Sequence, residues 1–165
     1  MDGLAGRLAV RGSCCTPQVH KVVVGALVRE GRVLLVHRRP TKRARPDLWD
    51  LPGGVVETGE SELGALAREL QEELGVQIAT GTVSLLSRLV AGPAAEPALL
   101  SAWLVPDWQG TPTNVAPEEH DGLGWFGVAE LPPPPHVVAR TALVEALDAT
   151  CRSVSTQYGV HSERT

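Results

Sequence analysis

The sequence predicts an α+β fold laid out as an α/β/α sandwich, and three observations carry that reading. β-Branched apolar runs stand both before and after one strongly periodic amphipathic stretch. A second amphipathic stretch follows near the end, and no internal repeat or shift in composition marks a second unit. At 165 residues, 43% hydrophobic and 21% charged, the chain has the size and composition of one domain with a substantial core. The expected organisation is a single domain over 19–150, a flexible segment over 1–18 and a disordered tail over 151–165.

The elements follow in order. Lys21–Val28 and Val33–His37 are apolar runs rich in β-branched residues, and the short Glu30-Gly31-Arg32 link between them fits a hairpin. Pro40–Pro46 is a basic loop punctuated by proline. Leu51–Val56 passes through Gly53-Gly54, where the backbone must bend tightly or approach a ligand closely. From Ser61 to Leu74 the spacing predicts a helix. Leu63, Leu66, Leu70 and Leu74, with Ala67 beside them, form an apolar stripe, Ser61 is the N-cap and Gly75 sits just past the end. Gly64 is the one poor helix former inside it, costing up to about 1 kcal/mol relative to Ala.

Val83–Val90 and Ala98–Val105 read as strands around a Gly92-Pro93-Ala94-Ala95 tip. Trp108–Asp121 reads as an acidic loop and Gly122–Phe126 as a short strand. Pro132–Pro135 excludes both helix and central strand. Val137–Ala149 is then a second amphipathic helix, with Val137, Val138, Ala142, Leu143 and Leu147 on its apolar side.

The chemistry concentrates on the first helix. Glu69, Glu72 and Glu73 lie at i, i+3 and i+4, which on a helix puts three carboxylates on one face about 100° wide, away from the leucine stripe. Like charges so close repel, and a divalent cation turns the same cluster into a site. Oxygen-only donors, with no Cys or His at ligand spacing, point to Mg²⁺ or Mn²⁺ rather than structural zinc.

These residues belong to a longer pattern, Gly54-x5-Glu60-x7-Arg68-Glu69-Leu70-x-Glu72-Glu73-x-Gly75-Val76, preceded by Trp49 and Leu51-Pro52-Gly53. It resembles the signature of the Nudix hydrolase family at every defined position. Chance recurrence is on the order of once in ten million chains of this size. The motif covers Gly54–Val76, and with the flanking strands and Trp125-Phe126 the resemblance extends over about Val22–Leu147.

The resemblance implies a mixed sheet between helices, with the motif as a loop-helix-loop. It also implies Mg²⁺-dependent hydrolysis of a nucleoside diphosphate linked to another group, and it looks most like the MutT-type branch that takes nucleoside triphosphates, oxidised ones included, to monophosphate and pyrophosphate. ADP-ribose, nucleotide sugars and dinucleoside polyphosphates are the alternative substrates, and a nucleotide-binding module without catalysis is the alternative class. The retained Glu60, Glu69, Glu72 and Glu73 speak against that module.

By the same resemblance Glu69, Glu72 and Glu73 ligate metal, Glu73 first among them, with the Gly53 carbonyl as a backbone ligand and Glu119, ahead of Glu118, as an acid from a later loop. Glu60 or Glu69 orients or deprotonates the water, and Arg68 pairs with a motif carboxylate and holds its rotamer. Arg38 and Arg39 suit substrate phosphate, one of them facing the cleft if strand alternation holds. Trp49 is a candidate to stack on a base, against packing at the core or rim. Asn114 and His136 are candidates for a base edge, against ordinary loop roles. His20 and His37 read as packed on strands, and no motif places any of the five His.

Net charge is −4, which offers no electrostatic footprint for a nucleic-acid polymer or an anionic membrane, and no apolar run approaches a membrane span. The basic run Arg38, Arg39, Lys42, Arg43, Arg45 is a local exception suited to the phosphates of a small nucleotide. Cys14, Cys15 and Cys151 have no framework spacing, and no leader pattern is visible, which fits a reducing cytoplasm. The expected state is a monomer, or a homodimer paired through strand edges.

Overall fold

A computed structural model describes residues 19–43, 45–133 and 140–149. The segment 1–18 with Cys14 and Cys15, the tail 151–165 with Cys151, His136, and Val137 and Val138 of the expected second helix lie outside the described residues.

Two long strands form the spine. β1 (His20–Arg29) and β2 (Arg32–Arg38) pair antiparallel across a tight turn in which Glu30 and Gly31 both take positive φ. Two short strands follow, β3 (Trp49–Asp50) on β2 and β4 (Gly53–Val55) on β1, both antiparallel. The stretch from Leu51 to Val56 enters the motif through β4, with Leu51-Pro52 between the two strands. The Pro52 carbonyl accepts from the Gly25 N–H at 2.9 Å.

After helix α1 (Glu62–Leu74) come β5 (Gln77–Ile78), β6 (Ser84–Ala91), β7 (Ala98–Val105), β8 (Trp108–Gln109) and β9 (His120–Gly127). β7 lies parallel to β1, from His20 beside Ala98 to Leu27 beside Val105, and β6 pairs antiparallel with β7. β9 closes on β2 antiparallel. One parallel pairing among antiparallel ones makes the central sheet mixed. β5 and β8 form a separate two-stranded ribbon. The region expected as a loop from Trp108 to Asp121 therefore contains β8 and the start of β9. Both are paired by distant partners that local sequence does not reveal.

A helix packs on each sheet face. Alternation along β1 and β2 sends Val23, Leu27, Leu34 and Val36 toward Leu66, Leu70 and Leu74 of α1. Their neighbours Ala26, Val28, Val33 and Leu35 meet Leu143 and Leu147 of a second helix, α2, over 140–149. Helix α1 comes close to β1 at Gly25, where an added Cβ would lie 3.1 Å from Leu70 and 3.2 Å from Leu66. The stripe differs from expectation at one place: Ala65 is fully buried and Ala67 only partly so.

Both ends of α1 are capped. The Ser61 hydroxyl accepts from the Gly64 N–H at 3.0 Å, and Gly75, at φ +69, donates back to Gln71 at the other end. Replacing Ser61 by Ala should lower unfolding free energy by about 1 kcal/mol. Urea melts of the two proteins read that loss, and equal midpoints would show the cap to be dispensable.

Candidate active site

The site is assembled by α1 and the strand that precedes it. Gly53 sits at φ +143, and a Cβ there would fall 2.1 Å from the Val23 carbonyl oxygen and 2.7 Å from the Val24 Cα. Only glycine lets β4 run this close to β1. The reward of that approach is one hydrogen bond: the Gly53 N–H donates to Glu73 Oε2 at 2.9 Å. The next residue, Gly54, faces α1, and a Cβ there would lie 2.3 Å from Glu69 Oε1.

Arg68 organises the other carboxylates. Its Nε and Nη2 donate to Oε1 and Oε2 of Glu60, each at 3.1 Å, as a two-pronged pair. Nη1 donates to Glu69 Oε1 at 2.9 Å and Glu72 Oε2 at 3.2 Å, and Nη2 also reaches the Val55 carbonyl at 3.1 Å. One guanidinium thus fixes three acids and the start of the loop leading to the helix. The Arg68 hydrogen bonds hold Glu60 below the usual carboxylate range, and the same pairing with Glu60 raises Arg68 further above neutrality. Glu69 goes the other way: desolvation outweighs Arg68 and pushes its pKa up.

Glu73 has different surroundings. It is 5% exposed, with the Gly53 N–H as its hydrogen-bond donor. Burial pushes its pKa up to about 8, against the Gly53 hydrogen bond and the Arg38 charge, and the charges of Glu69 and Glu119 add to the rise. A carboxylate held here needs a positive partner to stay ionised.

The loop before β9 brings two groups beside it. Ligand atoms of Glu73, Glu119 and His120 lie within 4.8 Å of one another. His120 is 1% exposed, its Nε2 is 3.8 Å from Glu73 Oε1, and its Nδ1 is buried without a hydrogen-bond partner among the described residues. Burial lowers its pKa, so the ring is neutral at pH 7. Lys42 pairs with Glu119 Oε2 at 3.1 Å. The Asn114 amide donates to the His120 carbonyl at 2.8 Å, so that side chain holds the loop.

The remaining sequence candidates are placed as follows. The Arg38 charge acts on both Glu73 and His120. Arg39 turns to the loop: its Nη1 donates to the Pro117 carbonyl at 2.8 Å and its backbone N–H to the Glu119 carbonyl. The Trp49 ring packs edge-on against Phe126, centroids 4.8 Å apart, and tilts over His37 at 5.0 Å. His37 bonds Asp121 at 2.6 Å, which lowers the Asp121 pKa. Glu118 is exposed. His120 was not assigned from sequence, its only local signal being its position directly after Glu119, and Lys42, expected in the basic run to meet phosphate, instead pairs with Glu119.

A buried carboxylate, a second acid and a neutral imidazole converging on one point suit a divalent cation, with Glu69 and Glu72 on the same helix face. Replacing Arg68 by Lys keeps the charge but loses the fork. Activity and metal affinity should both fall about 10- to 100-fold. Steady-state rates and the metal concentration for half activation test this, and an unchanged activation curve would deny Arg68 its organising role.

Comparison with known proteins agrees with this geometry. A family model described as the NUDIX domain matches residues 19–147. The chain is 38% identical over 130 residues to the CTP pyrophosphohydrolase of Escherichia coli, covering 78% of this chain and 91% of that one. It is 30% identical over 139 residues to the NAD-capped RNA hydrolase NudC of Citrobacter koseri, covering 83% of this chain but only 51% of NudC. Among solved structures, a MutT NUDIX hydrolase from Burkholderia pseudomallei superposes with a TM-score of 0.68 at 34% identity, over 76% of this chain and 96% of that one. The motif helix, the glycines that admit it and the family match over most of the chain lead to one conclusion: this protein belongs to the Nudix family and is a Nudix hydrolase acting on nucleotide substrates.

Proposed function

We propose that the chain hydrolyses a nucleoside triphosphate to monophosphate and pyrophosphate with Mg²⁺ as cofactor, Mn²⁺ substituting. The observation that carries the cofactor is the buried Glu73 carboxylate, held by the Gly53 N–H beside Glu119. The substrate class rests on the likeness to a CTP pyrophosphohydrolase over nearly its whole length and to a MutT hydrolase. Oxidised triphosphates belong to the same class.

Glu69, Glu72, Glu73 and Glu119, with the Gly53 carbonyl, would hold the cation, which supplies charge neutralisation for the phosphate oxygens and acidifies a bound water. Arg38, whose charge acts on Glu73 and His120, would be a cation for substrate phosphate. Arg39 supports this indirectly by anchoring the turn that carries Glu119. Glu60 and Glu69 are the candidates to receive the proton of the attacking water. Arg68 keeps Glu60 ionised and therefore able to accept one. Trp49, set between His37 and Phe126 and packed against the cluster with Leu143 and Leu147, serves packing more than base stacking.

The substrate is a free nucleotide in the cytoplasm rather than a polymer, in line with the net charge of −4. Among the described residues no helix is long and apolar enough to cross a membrane. The domain spans 19–150, as a monomer or a homodimer through the edge strand β6.

A substrate panel tests the reading. Common and 8-oxo nucleoside triphosphates, CTP and dCTP among them, ADP-ribose, nucleotide sugars and a dinucleoside tetraphosphate are each incubated with and without Mg²⁺, and products are weighed. Mg²⁺-dependent monophosphate and pyrophosphate from a triphosphate is the expected result. Turnover of ADP-ribose or sugars alone would overturn the substrate, and nucleotide binding without turnover would overturn the reaction.

A further inference from the structure

We propose that His120 is itself a ligand of the cation, giving one ring nitrogen alongside the carboxylates of Glu73 and Glu119, and that this nitrogen tilts the site from Mg²⁺ toward transition-metal dications such as Mn²⁺. The proposal rests on the reading of this cluster as a cation site and adds a donor that no sequence pattern marked.

Three observations carry it. The ring is 1% exposed, so it is not a surface histidine that happens to lie near acid. One ring nitrogen, Nδ1, is buried with no hydrogen-bond partner among the described residues, while the other, Nε2, is the one that faces Glu73; an unmet buried polar atom is costly unless something else occupies it. Its Nε2 stands 3.8 Å from Glu73 Oε1, too far for a hydrogen bond. Two donors each about 2.1 Å from one cation stand roughly 3 Å apart when adjacent and 4 Å when opposite. The observed separation falls within that range, whereas the 4.8 Å limit for the whole trio exceeds it, so the side chains must close in to hold an ion.

The surroundings position the ring rather than satisfy it. Asn114 binds the His120 carbonyl and the His120 N–H donates to Ala116, so the backbone is tied down while Nδ1 of the ring is left without a hydrogen-bond partner among the described residues. Lys42 engages Glu119 and not the ring. A neutral imidazole is a softer donor than a carboxylate. It favours later first-row dications, and Mg²⁺, which asks for oxygen, gains little from it.

The test uses the full chain and Mn²⁺ as probe. Pulsed electron paramagnetic resonance of bound Mn²⁺ should show nitrogen modulation of the imidazole type, which changes on ¹⁵N-histidine labelling and disappears in His120→Gln. By titration, His120→Gln should lose about tenfold or more in Mn²⁺ affinity while Mg²⁺ affinity changes less than about twofold. Bound Mn²⁺ with no nitrogen modulation in the unsubstituted protein overturns the proposal and leaves the proposed reaction standing. Equal loss for both metals would make His120 a packing residue. Failure of the unsubstituted protein to bind Mn²⁺ or Mg²⁺ would remove the cation site altogether. The labelled, unsubstituted protein decides the matter even if His120→Gln does not fold.

Discussion

Replacing Glu73 by Gln should abolish catalysis and, in the absence of metal, improve the fold at alkaline pH. Turnover is expected to fall on the order of a thousandfold, because an amide occupies the same space but cannot carry the charge that holds a cation. Stability should move the other way. Burial raises the folded-state pKa of Glu73 from 4.5 to about 8, so between those values the folded chain holds a proton that the unfolded chain has released. Stability is then full below about pH 4.5 and declines as pH rises toward 8, by up to about 1.4 kcal/mol per unit.

His120 contributes with the opposite sign, since burial lowers its pKa, but only below its ordinary value of 6.5. Urea melts in chelator at pH 7 and pH 8.5 therefore isolate Glu73. The unsubstituted protein should lose about 1 kcal/mol more across that step than the Gln variant, which keeps the raised Glu69. Saturating Mg²⁺ should cancel the loss, because cation and proton compete for one carboxylate. A pH-independent melt of the unsubstituted protein across this step would contradict the burial argument.

The two site glycines should fail in different ways. Gly53→Ala drives a methyl into the β1 backbone, against Val23 O and Val24 Cα, at a φ that alanine avoids. Neither neighbour is a flexible side-chain tip, so β4 must leave β1 and the Gly53–Glu73 hydrogen bond goes with it. A loss on the order of 4 kcal/mol is expected, visible as a large drop in denaturation midpoint. Gly54→Ala meets only the end of the Glu69 side chain. That chain can swing, so the fold should survive within about 1 kcal/mol while Glu69 leaves Arg68 and activity falls. Melts and rates on both variants separate the cases. Equal stability of the Gly53 and Gly54 variants would show that β4 does not need its close approach.

The first helix was legible because its evidence is local. Ser61, the leucine spacing and Gly75 fix start, buried side and end within one stretch, and the structure differs by a single buried alanine. The sandwich was legible for the same reason, since alternating apolar residues on β1 and β2 need cover on both faces. The parallel pairing of β1 with β7 and the two-residue strands β5 and β8 were not, because each exists only through a partner far along the chain. The motif makes Glu69, Glu72 and Glu73 look equivalent. Their environments divide them: Arg68 serves two, whereas Glu73, nearest the leucine side of the helix, is buried with a backbone N–H. Nothing local distinguishes His120, which enters the site only because β9 pairs with β2.

That pairing has a consequence for how the molecule is made. Gly53, Glu60, Arg68 and Glu73 all lie in β4, α1 and the loop between them, which pack on the first two strands and are close to them in sequence, so their loops close at low entropic cost. Glu119 and His120 come from the far side of the parallel crossover from α1 to β7 and are set in place when β9 docks on β2. A chain emerging from the ribosome can therefore shape the motif helix early, yet the second half of the cation cluster arrives only with its last sheet strand. Competence for chemistry would be acquired as a final step of folding, and a partly synthesised or β9-frayed chain would carry an ordered motif with half a site.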